Sequence, residues 1–202
     1  MSVLLAGVVL KLATFGFVRV CLELLPEASL RFQPLVFAIA SVTLVLSCLS
    51  VTRQSDVKAV IALSSVGHMA IVTVGLFALS PTAASGGLLL SLAHGLVSPA
   101  LFVIVGGVLY ERYHTRVFRY FRGLTLLMPL SATFFFLASC ANIAIPTTLN
   151  WISEVLVVVA VFVGGILTST LTDSLNPLIV GFPSRQLVTL DFLVAAYSPP
   201  GV

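Results

Sequence analysis

A chain of 202 residues of which 59% are hydrophobic and only 8% charged, with a mean hydropathy of +1.17, lacks the composition of a soluble domain and reads as a membrane protein. Its net charge of +3 is too small to point to nucleic acid, and its basic residues lie in loops without interleaved aromatics, so contact with a membrane surface explains them better. Cys21, Cys48 and Cys140 are odd in number, widely spaced and set in apolar runs, as small packing residues are and as metal or disulfide partners are not.

Apolar spans long enough to cross a bilayer lie near 2–22, 35–51, 58–79, 84–109 and 124–168. The first is no removable signal, because it is long enough to span and carries Lys11 in its middle. The last is too long for one straight helix. Pro146 has no amide hydrogen and disfavours helix at Ile145, and Thr147 and Thr148 follow as weak helix formers. A break over 145–149 is therefore expected, making two half-helices of one crossing. Asn150 is placed to cap the second half, with Glu154 in its first turn, where the helix dipole favours an anion and desolvation opposes it. Beyond residue 170 the motifs SLNP, GFPSR and SPPG interrupt the pattern, so 170–202 is expected to be a tail with at most one further crossing. The fold class is all-α: a polytopic membrane helix bundle with one broken transmembrane helix.

Five alternating crossings put the loops at 52–57 and 110–123 on one side. That side carries Arg53, Lys58, Arg112, Arg116, Arg119 and Arg122 against Asp56 and Glu111, whereas Arg19 and Arg31 on the other side are offset by Glu23 and Glu27. The positive-inside rule assigns the basic loops and the N-terminus to the matrix or cytoplasmic face.

Four ionisable residues remain near the middles of their spans: Lys11, His68, His94 and Glu154. Consecutive helices run in opposite directions, so central residues can come to one depth and form a row in the membrane plane. Burying Lys11 costs about 2.5 to 3.5 kcal/mol on insertion scales, and apolar residues on one side with Arg19 on the other leave it no route to snorkel, so a partner or a water-filled cavity is expected. Ser64 and Ser65 precede His68 by four and three residues, and Ser91 and Ser98 flank His94 at three and four, placing both imidazoles in polar stripes. Pro99 cannot donate to the carbonyl of Gly95, which leaves an acceptor that water could occupy. Histidine, with an unperturbed pKa near 6.5, suits proton relay. Taken singly, each of these residues could instead be a structural hydrogen-bond partner between helices. No GxGxxG follows a strand, no Walker sequence occurs, and no cysteine cluster suits an iron–sulfur centre.

The segments VLLAGVVLKLATFGFVRV, SDVKAVIALSSVGHMAIV, LLLSLAHGLVSPALFVIVGGVLYERYHTRVFRYFRGL and LASCANIAIPTTLNWISEVLVVV resemble the second half of subunit 4 of proton-pumping NADH:ubiquinone oxidoreductase, respiratory complex I. The likeness covers about residues 3–165, and the AHGL run ending in YERYHTR and the IPTT run ending in a glutamate distinguish it from the related subunits 2 and 5. It implies an antiporter-like bundle in which Lys11, His68 and His94 match mid-membrane residues of the eighth, tenth and eleventh helices, and Glu154 the terminal glutamate of the broken twelfth. It further implies a proton path coupled to quinone reduction, with NADH, FMN, iron–sulfur clusters and ubiquinone bound by other subunits and no cofactor in this chain. Met1 opens at the family's eighth helix, so either the gene is split or the sequence is a piece of a longer chain; the expected partners are other membrane-arm subunits, membrane lipid and, for a split gene, a separate polypeptide carrying the earlier helices. The tail departs from the family by being too short for two final helices. The location implied is the mitochondrial inner membrane, with a bacterial plasma membrane or plastid thylakoid as alternatives. A subunit of a multi-subunit cation/proton antiporter shares the fold, and a non-pumping structural or assembly subunit is the rival from another class.

Overall fold

The structure, a computed structural model, describes residues 1–121 and 127–175, with the side chains of 119 and 165–175 outside the description. Among the described residues four helices have the length and apolarity to cross a membrane: α1 (Ser2–Leu22), α2 (Pro26–Thr52), α3 (Val57–Phe77) and α4 (Pro81–Tyr113). They are followed by α5 (Pro129–Asn142) and α6 (Leu149–Leu175). At 1.5 Å per residue α5 is about 21 Å long, too short for a core of about 30 Å, and the chain continues through the break into α6. The described residues are mostly helical and contain no strand, only an isolated bridge between Asp56 and Val117. Of the expected tail, 176–202 lies outside the described residues, as does Arg122.

Several boundaries differ from the sequence reading. The helix that holds the second crossing starts at Pro26, ahead of the apolar run at 35–51, because proline is preorganised for the first helical turn and the polar Glu27, Arg31 and Gln33 continue the helix beyond its apolar part. The third ends at Phe77 rather than 79, where Leu79 turns to a φ of 54°. The fourth runs from Pro81 to Tyr113 rather than 84–109. Ser80 caps it by accepting from the Ala83 amide at 3.2 Å, and His114 closes it in the left-handed region at φ 51°.

The break lies over 143–148, earlier than the expected 145–149. Chain reversal starts ahead of Pro146: Ala144 takes φ 59° and Thr147 φ 95°, while the amides of Ile143, Ala144 and Ile145 bond back to the carbonyls of Ser139, Ala141 and Cys140. These turns satisfy the orphan carbonyls that any helix end leaves.

Wide i→i+5 turns interrupt α1 at Leu5–Val9 and Phe17–Leu22 and α4 at Ile104–Leu109. The basic loops are joined directly: Val57 donates its amide to the Arg116 carbonyl at 3.0 Å and Phe118 donates to Ser55 at 3.1 Å. Arg116 stacks on Tyr110 with its guanidinium 4.6 Å from the ring centre.

Small residues set the helix spacing. A Cβ at Gly75 would stand 3.0 Å from both the Ala83 carbonyl oxygen and Val157 Cγ2, and one at Gly86 would stand 3.0 Å from Leu156 Cβ and 3.2 Å from the Ser153 carbonyl oxygen. Helices α3, α4 and α6 therefore approach as closely as backbones allow, which is how membrane helices gain contact without a hydrophobic driving force. On the other side of α4, Pro99 Cγ would lie 3.0 Å from a Cβ at Gly7, and the carbonyl freed by Pro99, that of Gly95, faces this α1 crossing. Helices α1 and α2 are peripheral, with 11% of their most apolar windows buried against 44% for α3 and α4. Cys48 is exposed on α2 rather than packed, whereas Cys21 lies against the buried cluster of Val72, Leu76, Phe77 and Leu90.

Candidate functional site

The four ionisable residues from the middles of the spans are brought into one row. Lys11 follows the wide turn Leu5–Val9, and its aliphatic stem lies over Gly95, where a Cβ would stand 3.1 Å from Lys11 Cε. Its ammonium donates to the Ala6 carbonyl at 2.8 Å and to His94 Nδ1 at 3.1 Å. Lys11 thus ends inside the bundle, in contact with a partner, rather than reaching for the membrane surface.

His94 is fully buried, and with Nδ1 accepting from Lys11 the ring is neutral and carries its proton on Nε2. That Nε2 has no partner among the described residues, and neither does the hydroxyl of Ser98 one turn further along α4. The His68 ring lies beside it, centroid to centroid 5.3 Å at a tilt of 47°. His68 Nδ1–H donates to Glu154 Oε1 at 2.8 Å, both side chains being largely buried. Two direct hydrogen bonds and one imidazole pair thus connect Lys11, His94, His68 and Glu154.

The backbone explains why Glu154 reaches His68. Ser153 and Val157 are fully buried in the notch that Gly75 and Gly86 open between α3 and α4, and Glu154 beside them is carried to α3. Glu154 stands in the second turn of α6, not the first, since α6 begins at Leu149.

The supporting polar residues act differently from the sequence reading. Ser64, Ser65 and Ser91 donate to the carbonyls of Ile61, Ala62 and Leu88, three residues back on their own helices, so their hydrogens turn away from the imidazoles. Asn150 is not the cap of α6. Thr148 caps it, its hydroxyl accepting from the Trp151 amide at 3.4 Å, because the chain leaves the break one residue earlier than expected. Asn150 instead reaches back to the Ala141 carbonyl at 2.9 Å and ties the half-helices together. Asn142, not singled out from the sequence, donates to Ser64 Oγ at 3.2 Å; an asparagine ending an apolar run before a break was the available signal.

Comparison with known proteins identifies the family. The profile of the NADH:quinone oxidoreductase/Mrp antiporter transmembrane family matches residues 1–179. The chain is 52% identical over 161 residues, 80% of its length, to NADH-ubiquinone oxidoreductase chain 4 of Mycosarcoma maydis, of which this covers 33%. It is 45% identical to the protein of that name from Triticum aestivum and 44% to that from Arabidopsis thaliana, in each case over 84% of this chain and 34% of the relative. The matched stretch thus spans about a third of the length of these relatives. With a bundle of membrane-crossing helices, one of them broken, and a match over most of its length, the chain belongs to the transmembrane family of NADH:quinone oxidoreductases and Mrp antiporters.

Proposed function

We propose that the Lys11–His94–His68–Glu154 row carries protons across part of the membrane arm of NADH:ubiquinone oxidoreductase, in the mitochondrial inner membrane, with proton movement coupled to quinone reduction in other subunits. The observation that carries this reading is the row itself: four titratable side chains from α1, α3, α4 and α6 meet in the bundle through bonds of 3.1 and 2.8 Å and an imidazole pair at 5.3 Å. The two hydrogen bonds pass protons without moving heavy atoms far, and the step between the imidazoles, which no direct bond spans, falls to water or ring rotation. The relatives' printed names favour complex I over a cation/proton antiporter. NADH, FMN, iron–sulfur clusters and ubiquinone are assigned to the other subunits.

The exposed face of α1 (Leu4, Leu5, Val8, Leu12 and Phe15) is over half accessible at each position. We assign it to the earlier helices of the same subunit. Cross-linking through a cysteine at Leu12 recovers those helices; recovery of an unrelated subunit or of lipid alone refutes the assignment.

The test of the row is Glu154→Gln, which keeps size and hydrogen bonding but removes titration. Replacing a charge-assisted bond of about 1.5–3 kcal/mol by a neutral one of about 0.5–1.5 kcal/mol leaves a folded, assembled subunit, while protons translocated per electron fall. Unchanged proton stoichiometry with unchanged quinone reduction refutes the function. Failure of the chain to co-migrate with NADH dehydrogenase activity on a native gel assigns it to the antiporter branch instead.

A further inference from the structure

The amides at the helix break form a second polar assembly beside the row. Asn142 ends α5 and donates from Nδ2 to Ser64 Oγ at 3.2 Å. Ser64 directs its own hydrogen to the Ile61 carbonyl at 2.9 Å, so toward Asn142 it is purely an acceptor. Asn150 donates from Nδ2 across the break to the Ala141 carbonyl at 2.9 Å. That bond fixes the orientation of the amide, since only the nitrogen can face a carbonyl, and it turns Oδ1 the other way. Asn150 is 1% exposed, and its Oδ1 has no partner among the described residues. Most buried acceptors in folded proteins have a partner, and where protein supplies none an ordered water is the usual one.

Register connects this assembly to the row. Ser64 lies one turn before His68 on α3, and Asn150 one turn before Glu154 on α6, so each pair shares a helix face. The His68–Glu154 bond and the Ser64–Asn142/Asn150–Ala141 bonds are successive rungs, about 6 Å apart at 1.5 Å per residue. Helix α3 begins at Val57, next to Lys58, so the amide rung lies on the side of the basic loops.

We propose that Asn142, Asn150 and Ser64 position a water-holding limb that joins the His68–Glu154 pair to the helix break, so that the row branches at Glu154 toward the basic-loop side. This rests on the proton-carrying reading of the row. In the limb the water held at Asn150 Oδ1 gives a proton to the Glu154 carboxylate as it takes one from the next water, and the chain of transfers ends on a proton drawn from the aqueous side, so no hydroxide is left behind. The amides remain neutral throughout and only orient the water.

The experiment uses the assembled complex in native membranes, with turnover normalised to the amount of complex. Asn150→Leu is expected to lower coupled NADH:quinone turnover about 2- to 10-fold, the range that one lost net hydrogen bond gives, and to raise the solvent deuterium effect on that turnover. Asn142→Leu and Ser64→Ala each give a smaller loss, and the double variant is no worse than either, because both remove the same bond. These two variants keep the test open should Asn150→Leu fail to assemble. Normal turnover per complex and an unchanged isotope effect in all three, with only the yield of complex reduced, overturns the limb and leaves the amides as pins for the break. Glu154→Gln in parallel separates the two readings. If it stops pumping while the amide variants do not, the limb alone fails; if it too leaves pumping unchanged, the row fails.

Discussion

Gly75→Ala tests the geometry of the row without touching any titratable residue. A Cβ at position 75 would stand 3.0 Å from the Ala83 carbonyl oxygen and 3.0 Å from Val157 Cγ2. Ordinary contact requires about 3.5–4.0 Å, so the neighbours have to retreat by about 0.5–1.0 Å. The Ala83 oxygen is backbone of α4 and Val157 is fully buried on α6, so these two helices together absorb the displacement. Gly75 is two turns along α3 from His68 and on the same face, so the same separation opens the His68–Glu154 contact from 2.8 Å to about 3.3–3.8 Å. That is beyond the N–H···O range of about 2.7–3.2 Å. Overpacking costs about 1–3 kcal/mol, which reduces yield without abolishing assembly. Protons translocated per electron, measured per assembled complex in sealed vesicles with a pH-sensitive dye, should fall toward the Glu154→Gln level. Full pumping in a variant whose structure shows the two groups separated by more than 3.5 Å refutes the requirement for the direct bond.

Lys11→Met removes a charge that costs about 2.5–3.5 kcal/mol to bury while preserving the stem packed over Gly95; assembly is maintained on a native gel and coupled turnover drops, whereas loss of the protein with normal function in the remainder makes Lys11 a structural residue. His94 Nε2 and Ser98 Oγ are buried, unpartnered among the described residues and one turn apart, so a high-resolution density map should show an ordered water within about 3.2 Å of one or both; a dry, apolar surround contradicts it. Thr148→Val keeps shape at the start of α6 but removes the cap on Trp151, with an expected cost of about 1 kcal/mol in thermal stability of the complex; an unchanged melting profile would show that the 3.4 Å contact contributes nothing.

The helices and the row were legible in the sequence for the same reason: the bilayer penalises charge so strongly that Lys11, His68, His94 and Glu154 stand out against apolar surroundings. Pro146 announced the break, but its position was set by the left-handed Ala144 and by carbonyl satisfaction at the end of α5, which local propensity does not encode. The wide turns of α1 and α4 left no mark, because adding one residue to a uniformly apolar helix hardly changes its hydrophobic pattern. Ser64, Ser65 and Ser91 were read as polar stripes around the imidazoles, yet a hydroxyl in a helix has a carbonyl of its own preceding turn within reach and takes it here. Asn142 and Asn150 acquire their roles only when the half-helices meet, as do Gly75 and Gly86, whose importance depends on what lies across from them.

The bond from Lys11 to His94 Nδ1 restricts how the row can be filled. A charged ammonium donating to that nitrogen requires a neutral ring, and a protonated ring has no lone pair there to offer. Adjacent seats therefore exclude one another: a cation on Lys11 with its bond intact bars a second from His94, and a proton reaching His94 compels the ammonium to swing away or to give up its charge. On the proton-carrying reading, such a line advances as cars do in a full lane, by the backward passage of an empty place, and its pace is set by how quickly the far end clears rather than by how many protons wait to enter.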